Sequence, residues 1–166
     1  STYKPSLSAI EIDGRQLLDS GVTPTDNYPT IAATGCSVGT EQGFAIVSYQ
    51  GGGGSKSIPH GLGKVPTFII VKKIASESWG IYHSHIGNAH RMSFDSSEQT
   101  STTTWDNQTP NPYVFFVGDA SLSNSDGSNY IAYVWADVPG LQKFGGYQGR
   151  SGANYIDLGF RPALVV

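Results

Sequence analysis

The sequence predicts an all-β fold, a β-sandwich or jelly roll whose turns are rich in glycine and proline. Short apolar or alternating runs recur along the chain, about eight in all, each bounded by residues typical of turns. No stretch of ten or more residues repeats its apolar positions with a helical period. Glycine (21) and proline (9) are frequent, whereas charged residues make up only 14% of the chain, against about 25% in an average soluble domain.

The first predicted element is a β-hairpin within residues 1–22. The pair Asp13-Gly14 stands between two runs of alternating apolar residues, and such a pair is typical of a two-residue hairpin turn. We predict that residues 1–22 are the end of a preceding domain. Residues 23–43 are predicted as a linker or extended arm, apolar enough to lie along a neighbouring surface.

Residues 44–140 are predicted as one β-sandwich module that begins and ends with long strands. The run after Pro66 is short, apolar and bounded by two lysines, as expected of a buried strand. Residues 51–54 are all glycine and are predicted as a hairpin turn, and residues 96–104 as a polar surface loop. The further strands are predicted at 44–50, 77–84, 91–95, 113–117 and 130–136.

Residues 141–166 are predicted as the start of a second, truncated copy of the module. Tyr49-Gln50-Gly51 recurs as Tyr147-Gln148-Gly149, an offset of 147 − 49 = 98 residues. The apolar run after Pro66 recurs after Pro162. The second copy stops inside this apolar run, and an exposed apolar strand edge invites pairing with other chains. We therefore expect that the parent polypeptide continues and is built of serial modules.

Charge and patterning argue against several classes of function. The formal net charge is −3 with 10 Lys+Arg, which predicts no nucleic-acid partner. No run of about 18 apolar residues is present, which predicts no membrane insertion. No Gly-x-Ser-x-Gly nucleophile motif occurs, and the spacing of the acidic residues singles out no carboxylate pair. We predict that the chain is not an enzyme and holds no cofactor.

The histidines and the single cysteine allow a chemical and a structural interpretation. His83 and His85 would share one face of a strand, but a metal needs three or four ligands and the spacing forces no third one close. We therefore predict no metal site. His60 is expected to hydrogen-bond the backbone of its turn. Cys36 is predicted as a small buried hydrophobic residue rather than a reactive thiol.

Aromatic residues beside neutral polar groups indicate a candidate glycan-binding face. Flat rings stack on the C–H faces of sugars, while nearby amides and hydroxyls bind the sugar hydroxyls. The alternative is that the tryptophans belong to the core, where large aromatic side chains contribute most. The candidate glycan contacts are Trp79, Tyr82, His83 and Trp105.

Eight stretches of the sequence resemble a repeat module found in virion proteins of marine tailed phages. They are GFAIVSYQG at 43–51, IPHGLGKVPTFIIVK at 58–72, WGIYH at 79–83, WD at 105–106, VFFVG at 114–118, NYIAYVWADVPG at 129–140, KFGGYQG at 143–149 and GFRPALVV at 159–166. In cyanophages and pelagiphages such modules occur in tail fibres and other appendages. Residues 7–20 resemble the last hairpin of a laminin-G-like or concanavalin-like domain, which often precedes these modules.

The resemblance implies a structural protein of the virion, most simply a tail-fibre or appendage subunit that contributes to host attachment. It implies a homo-oligomer, commonly a trimer, in contact with other virion proteins and with a host-surface glycan. It assigns no catalytic residue. A spacer or connector of the virion without a ligand is the alternative, and a carbohydrate-binding module of a bacterial surface protein is a further one.

Overall fold

The structure is a computed structural model that describes residues 10–12, 15–17, 29–75, 79–94 and 96–166. Antiparallel strands account for nearly all its regular structure, which confirms the predicted all-β, sandwich-like class. The strands are β1 (Ile10–Ile12), β2 (Arg15–Leu17), β3 (Ala33–Gly39), β4 (Phe44–Gln50), β5 (Lys56–Pro59), β6 (Phe68–Lys73), β7 (Trp79–His83), β8 (His90–Ser93), β9 (Ser96–Thr100), β10 (Val114–Val117) and β11 (Asn129–Trp135). One helical turn, α1 (Ser121–Asn124), precedes β11.

The strands form one large sheet and two small ones. The large sheet has seven strands in the order β3-β4-β11-β6-β7-β8-β9, so that the C-terminal strand β11 lies between β4 and β6. Strands β5 and β10 form a separate two-stranded sheet, and β1 pairs with β2. The pairing of Ile10 with Leu17 agrees with the predicted hairpin. Its turn, Asp13-Gly14, lies outside the described residues.

The hydrophobic core lies between the large sheet and the β5–β10 sheet. Alternate residues of β4 and β11 point inward, because successive side chains of a strand face opposite ways. The centre of the core is an aromatic cluster in which Tyr49 stacks on Tyr130 with ring centroids 5.2 Å apart and meets Phe115 edge-on at 6.2 Å. The phenol of Tyr49 donates a buried hydrogen bond to the Ser123 carbonyl oxygen at 2.6 Å.

Residues 51–54 connect the two sheets rather than forming a hairpin, so the predicted hairpin turn is wrong. Strand β4 belongs to the large sheet and β5 to the small one, and the two do not pair. The fully buried side chain of Asn124 holds this crossover. Its amide oxygen accepts from the Gly52 N–H at 3.0 Å, and its amide nitrogen donates to the Gly54 carbonyl oxygen at 2.7 Å.

Two further segments differ from the expected local structure. Residues 33–39, within the predicted linker or arm, form β3 and pair with β4 at one edge of the large sheet. Residues 96–100, within the predicted polar loop, form β9 at the other edge, with every residue exposed. The strand predictions relied on apolar residues that alternate with polar ones and become buried. Neither β3 nor β9 shows that pattern.

His60 fulfils the role expected of it in the turn after β5. Its side chain is fully buried, and its Nδ1 accepts from the Leu62 N–H at 3.2 Å. Its Nε2 lies 3.0 Å from the Asn111 carbonyl oxygen. Because a carbonyl can only accept, Nε2 carries the proton and the imidazole is neutral. Burial lowers the pKa of His60 to about 4, although the hydrogen bond to Asn111 opposes that shift.

Candidate interaction face

The four candidate glycan contacts do not lie on one face. Tyr82 and Trp105 are 2% and 1% exposed and belong to the hydrophobic core. Their rings meet edge-on with centroids 5.7 Å apart. A buried ring cannot stack on a sugar, so the prediction of glycan contact is wrong for these two residues. For Trp105 the structure supports the alternative, in which the tryptophan belongs to the core.

Trp79 and His83 lie on the opposite side of the large sheet, because successive side chains of β7 face opposite ways. Trp79 is partly buried and meets Phe94 edge-on, with centroids 5.6 Å apart. The ammonium of Lys72 lies 5.7 Å from the Trp79 ring centroid, a cation–π contact. His83 meets Phe68 edge-on at 5.7 Å. These two candidates therefore belong to a different surface, which the neighbouring strands extend.

The outer face is the side of the large sheet that points away from the β5–β10 sheet. Residues directly opposite each other on paired strands share a face. The register therefore places Phe44, Trp135, Phe68 and His83 side by side across β4, β11, β6 and β7. We call these four residues the aromatic row. Its rings are in contact: the Phe44 and Trp135 centroids are 4.8 Å apart, and those of Phe68 and Trp135 are 5.6 Å apart.

A second row of the outer face is almost wholly apolar. It continues from Ile46 through Tyr133, Ile70 and Ile81 to Met92, each opposite the next on the neighbouring strand. Ile46 is 38% exposed, and Tyr133 and Ile70 are partly exposed. Ile81 is buried, at 4% exposed, so the open part of this row lies on β4, β11 and β6. Contiguous apolar patches of this kind are typical of interaction sites.

The C-terminal segment (residues 141–166) begins on this face. The ring of Phe144 stacks on Phe68 with centroids 5.2 Å apart and planes inclined by 11°. The Phe144 N–H donates to Asp137 Oδ1 at 3.1 Å, and the Thr67 hydroxyl donates to the same oxygen at 2.9 Å. Gly146 passes so close that a Cβ placed there would lie 2.4 Å from an atom of the His85 ring. The segment is therefore anchored at the aromatic row.

The histidine end of the aromatic row has its own electrostatics. Burial lowers the pKa of His83, the neighbouring His85 lowers it further, and Asp137 opposes the shift. The rings of His83 and His85 are 6.4 Å apart. Nowhere in the described ranges do three His, Cys, Asp or Glu side chains gather closely enough to hold a metal ion. The side chains that the register places on this face are mainly apolar and aromatic.

Cys36 is exposed, and the prediction of a buried hydrophobic residue is wrong. It lies on β3 opposite Val47, so its side chain points to the core side of the sheet at the rim of the sandwich. Neighbouring atoms partly desolvate the thiol and raise its pKa, which disfavours the reactive thiolate.

Among the residues that the structure describes, no helix is long and apolar enough to cross a membrane. The sequence matches the family described as a domain of unknown function (DUF7483) over residues 18–166. The chain belongs to the DUF7483 family. The match contains β3 to β11, the whole outer face and the C-terminal segment, while β1 and β2 lie outside it. No curated protein and no solved structure is detectably similar to the chain.

Sequence reasoning missed most of the outer face of this DUF7483 domain. Phe44, Phe68, Tyr133 and Trp135 were assigned to strands but to no site. Their signal is that β4 and β11 are apolar on both faces, whereas a strand with one solvated face alternates between apolar and polar residues. Only one of the two faces is covered by the β5–β10 sheet.

Proposed function

We propose that the chain is a structural module of a tailed phage virion, a subunit of a tail fibre or other appendage that contributes to host-surface attachment. The outer face is the observation that carries this proposal. It offers contacting aromatic and aliphatic side chains, which suit adhesion to another molecule. The resemblance of eight stretches of the chain to appendage repeats supplies the biological setting.

The outer face fits adhesion in its composition and in its exposure. Trp79, Tyr133 and Trp135 are partly exposed, and aromatic side chains are enriched in binding surfaces because they bury much area at little entropic cost. The polar side chain of Ser48 lies next to Ile46 on the same face of β4 and borders the second row. We propose a host glycan or a neighbouring virion protein as the ligand of this face, with the module assembled as a homo-oligomer.

A spacer or connector is the second candidate function, and the C-terminal segment favours it. This segment repeats the opening of the module, and its first residues already lie against the outer face through Phe144. A following repeat that begins on the sheet of the preceding one would stack modules in series, as solenoid-like proteins do. In that case the face would be covered within the fibre and would not meet a host.

A competition assay for phage adsorption distinguishes the attachment function from the spacer function. The purified chain is added to host cells before the phage that encodes it, and unadsorbed phage are counted. We expect the chain to reduce adsorption. Ile46→Lys, which places a charge in the exposed part of the outer face, should lose most of this effect. Val65→Lys adds the same charge at a residue 46% exposed but outside the face, and it should compete like the unmodified chain.

Electron microscopy with gold-labelled antibodies against the chain locates it on purified particles. We expect labelling of the tail or its appendages. Labelling there without any competition for adsorption would support the spacer function instead. No labelling of the particle, or labelling of the capsid shell alone, would contradict the proposed function altogether.

A further inference from the structure

We propose that β3 is a homotypic docking edge: the β3 strands of two copies of this chain pair antiparallel about a two-fold axis. Strand β3 is the first strand of the seven-stranded sheet, and among the described residues it pairs only with β4. Residues 34–38 are all exposed. Its outer side therefore presents backbone groups that a further strand can bind. This inference does not depend on the proposed function.

β3 carries few of the features by which proteins protect an edge. Exposed edges are usually blocked by charged residues, proline, bulges or short length. Strand β3 has seven residues, Ala-Thr-Gly-Cys-Ser-Val-Gly, and none of them is charged or proline. Its one irregularity lies between Ala33 and Gly35, and pairing with β4 is regular from Gly35 to Gly39. The five exposed residues of the strand, 34–38, are centred on Cys36 and remain open to a partner strand.

The opposite edge of the same sheet is protected against self-pairing. Strand β9 has five residues with Glu98 at its centre. If two β9 strands paired antiparallel over their full length, Glu98 would lie opposite Glu98 of the partner subunit. Like charges directly opposite each other destabilise a strand pair. The carboxylate of Glu98 also lies 3.6 Å from His90 Nε2 of its own chain.

Symmetry makes β3 complementary to itself. Full overlap of two antiparallel β3 strands places Ala33 opposite Gly39 and the central residue Cys36 opposite its own copy. No charge meets a like charge in this arrangement. The β3 residues on the outer face are Gly35, Ser37 and Gly39. No bulky side chain therefore separates the outer face of one copy from that of the other. Such an isologous contact closes on two copies.

The single cysteine reports this contact directly. Directly opposite residues of antiparallel strands have Cα atoms about 4.5–5.5 Å apart, and disulfides span about 4.4–6.8 Å. We expect native mass spectrometry of the reduced full chain to show two copies. Mild oxidation should then link them through Cys36. In the double variant C36S/V38C the two cysteines would lie about 14 Å apart along the strands, and linking should slow at least tenfold.

Charged residues introduced at position 36 test the antiparallel pairing of the two β3 strands without relying on oxidation. Because Cys36 is exposed, we expect Cys36→Lys and Cys36→Glu to fold, which circular dichroism checks. Each variant alone should self-associate at least tenfold more weakly, since like charges then face each other. A mixture of the two should form mixed pairs, and Cys36→Ser should behave like the unmodified chain. A monomer at all concentrations, a trimer without the Cys36 link, or unaltered association of Cys36→Lys would each overturn the proposal.

Discussion

The buried imidazole of His60 should make the stability of this fold depend on pH in a defined direction. In the folded chain Nδ1 accepts a hydrogen bond from Leu62 and Nε2 donates one to Asn111. Protonation of Nδ1 would replace that acceptor with a second donor facing the Leu62 N–H. Burial adds to this cost, and the pKa of His60 falls from 6.5 to about 4.

The size of the effect follows from these two values. Between pH 6.5 and pH 4 the unfolded chain binds a proton at this histidine that the folded chain does not bind. The free energy of unfolding therefore falls as the pH is lowered through this range. The free energy of unfolding at pH 4.5 is about 2.5 kcal/mol lower than at pH 7.5, because each pH unit between the two pKa values contributes about 1.4 kcal/mol. The lowered pKa of His83 acts in the same direction.

Urea unfolding at pH 7.5 and pH 4.5, followed by tryptophan fluorescence, measures this difference. His60→Gln keeps an amide donor and acceptor but cannot be protonated, so its stability should fall by about 2.5 kcal/mol less than that of the unmodified chain. His85→Gln removes an exposed imidazole and serves as the matched control. If His60→Gln and the unmodified chain lost the same stability between the two pH values, the assigned neutral tautomer would be wrong.

Three further predictions follow from close contacts in the structure. Gly51→Ala should destabilise the fold by about 1–3 kcal/mol, because its Cβ would lie 2.3 Å from a backbone oxygen. Gly149→Ala, the repeat-related position, meets nothing within 4 Å and should leave urea unfolding within about 0.5 kcal/mol. Asn124→Ala should cost about 1–3 kcal/mol in the same assay, since the crossover loses both hydrogen bonds to the buried Asn124 amide. Phe144→Ala should speed tryptic cleavage of the C-terminal segment several-fold, whereas Tyr147→Ala, at a residue 69% exposed, should not.

Most strands of the large sheet could be predicted because one side of each is buried. The runs at 68–73, 79–83 and 129–135 combine apolar alternation with bounding turn residues, and each is a strand in the structure. Strand β9 was missed because it buries no side chain and is therefore polar throughout. Strand β3 was missed for the same reason, since its residues are small and exposed. Edge strands are held by backbone pairing, which leaves little trace in side-chain pattern.

The connection between sheets could not be predicted from local sequence. A glycine run between two strands is compatible with a hairpin turn and with a crossover. What decides between them here is Asn124, which is about 70 residues away in the chain and hydrogen-bonds the glycine backbone. In the same way, the burial of Trp105 depends on its packing against Tyr82 and not on its neighbours in the sequence.

The two faces of the large sheet explain why the core could be predicted and the candidate site could not. Strands β4 and β11 supply Tyr49, Val47 and Ala132 to the core, and the β5–β10 sheet completes their cover. On the outer face the same strands supply Trp135 and Tyr133, which the described chain covers only in part, through Phe144. At about 25 cal/mol for each Å² of apolar surface removed from water, such a face favours association with whatever partner fits it. Folding itself accounts for the inward residues, and the outward residues are explained if this face binds another molecule, as we propose.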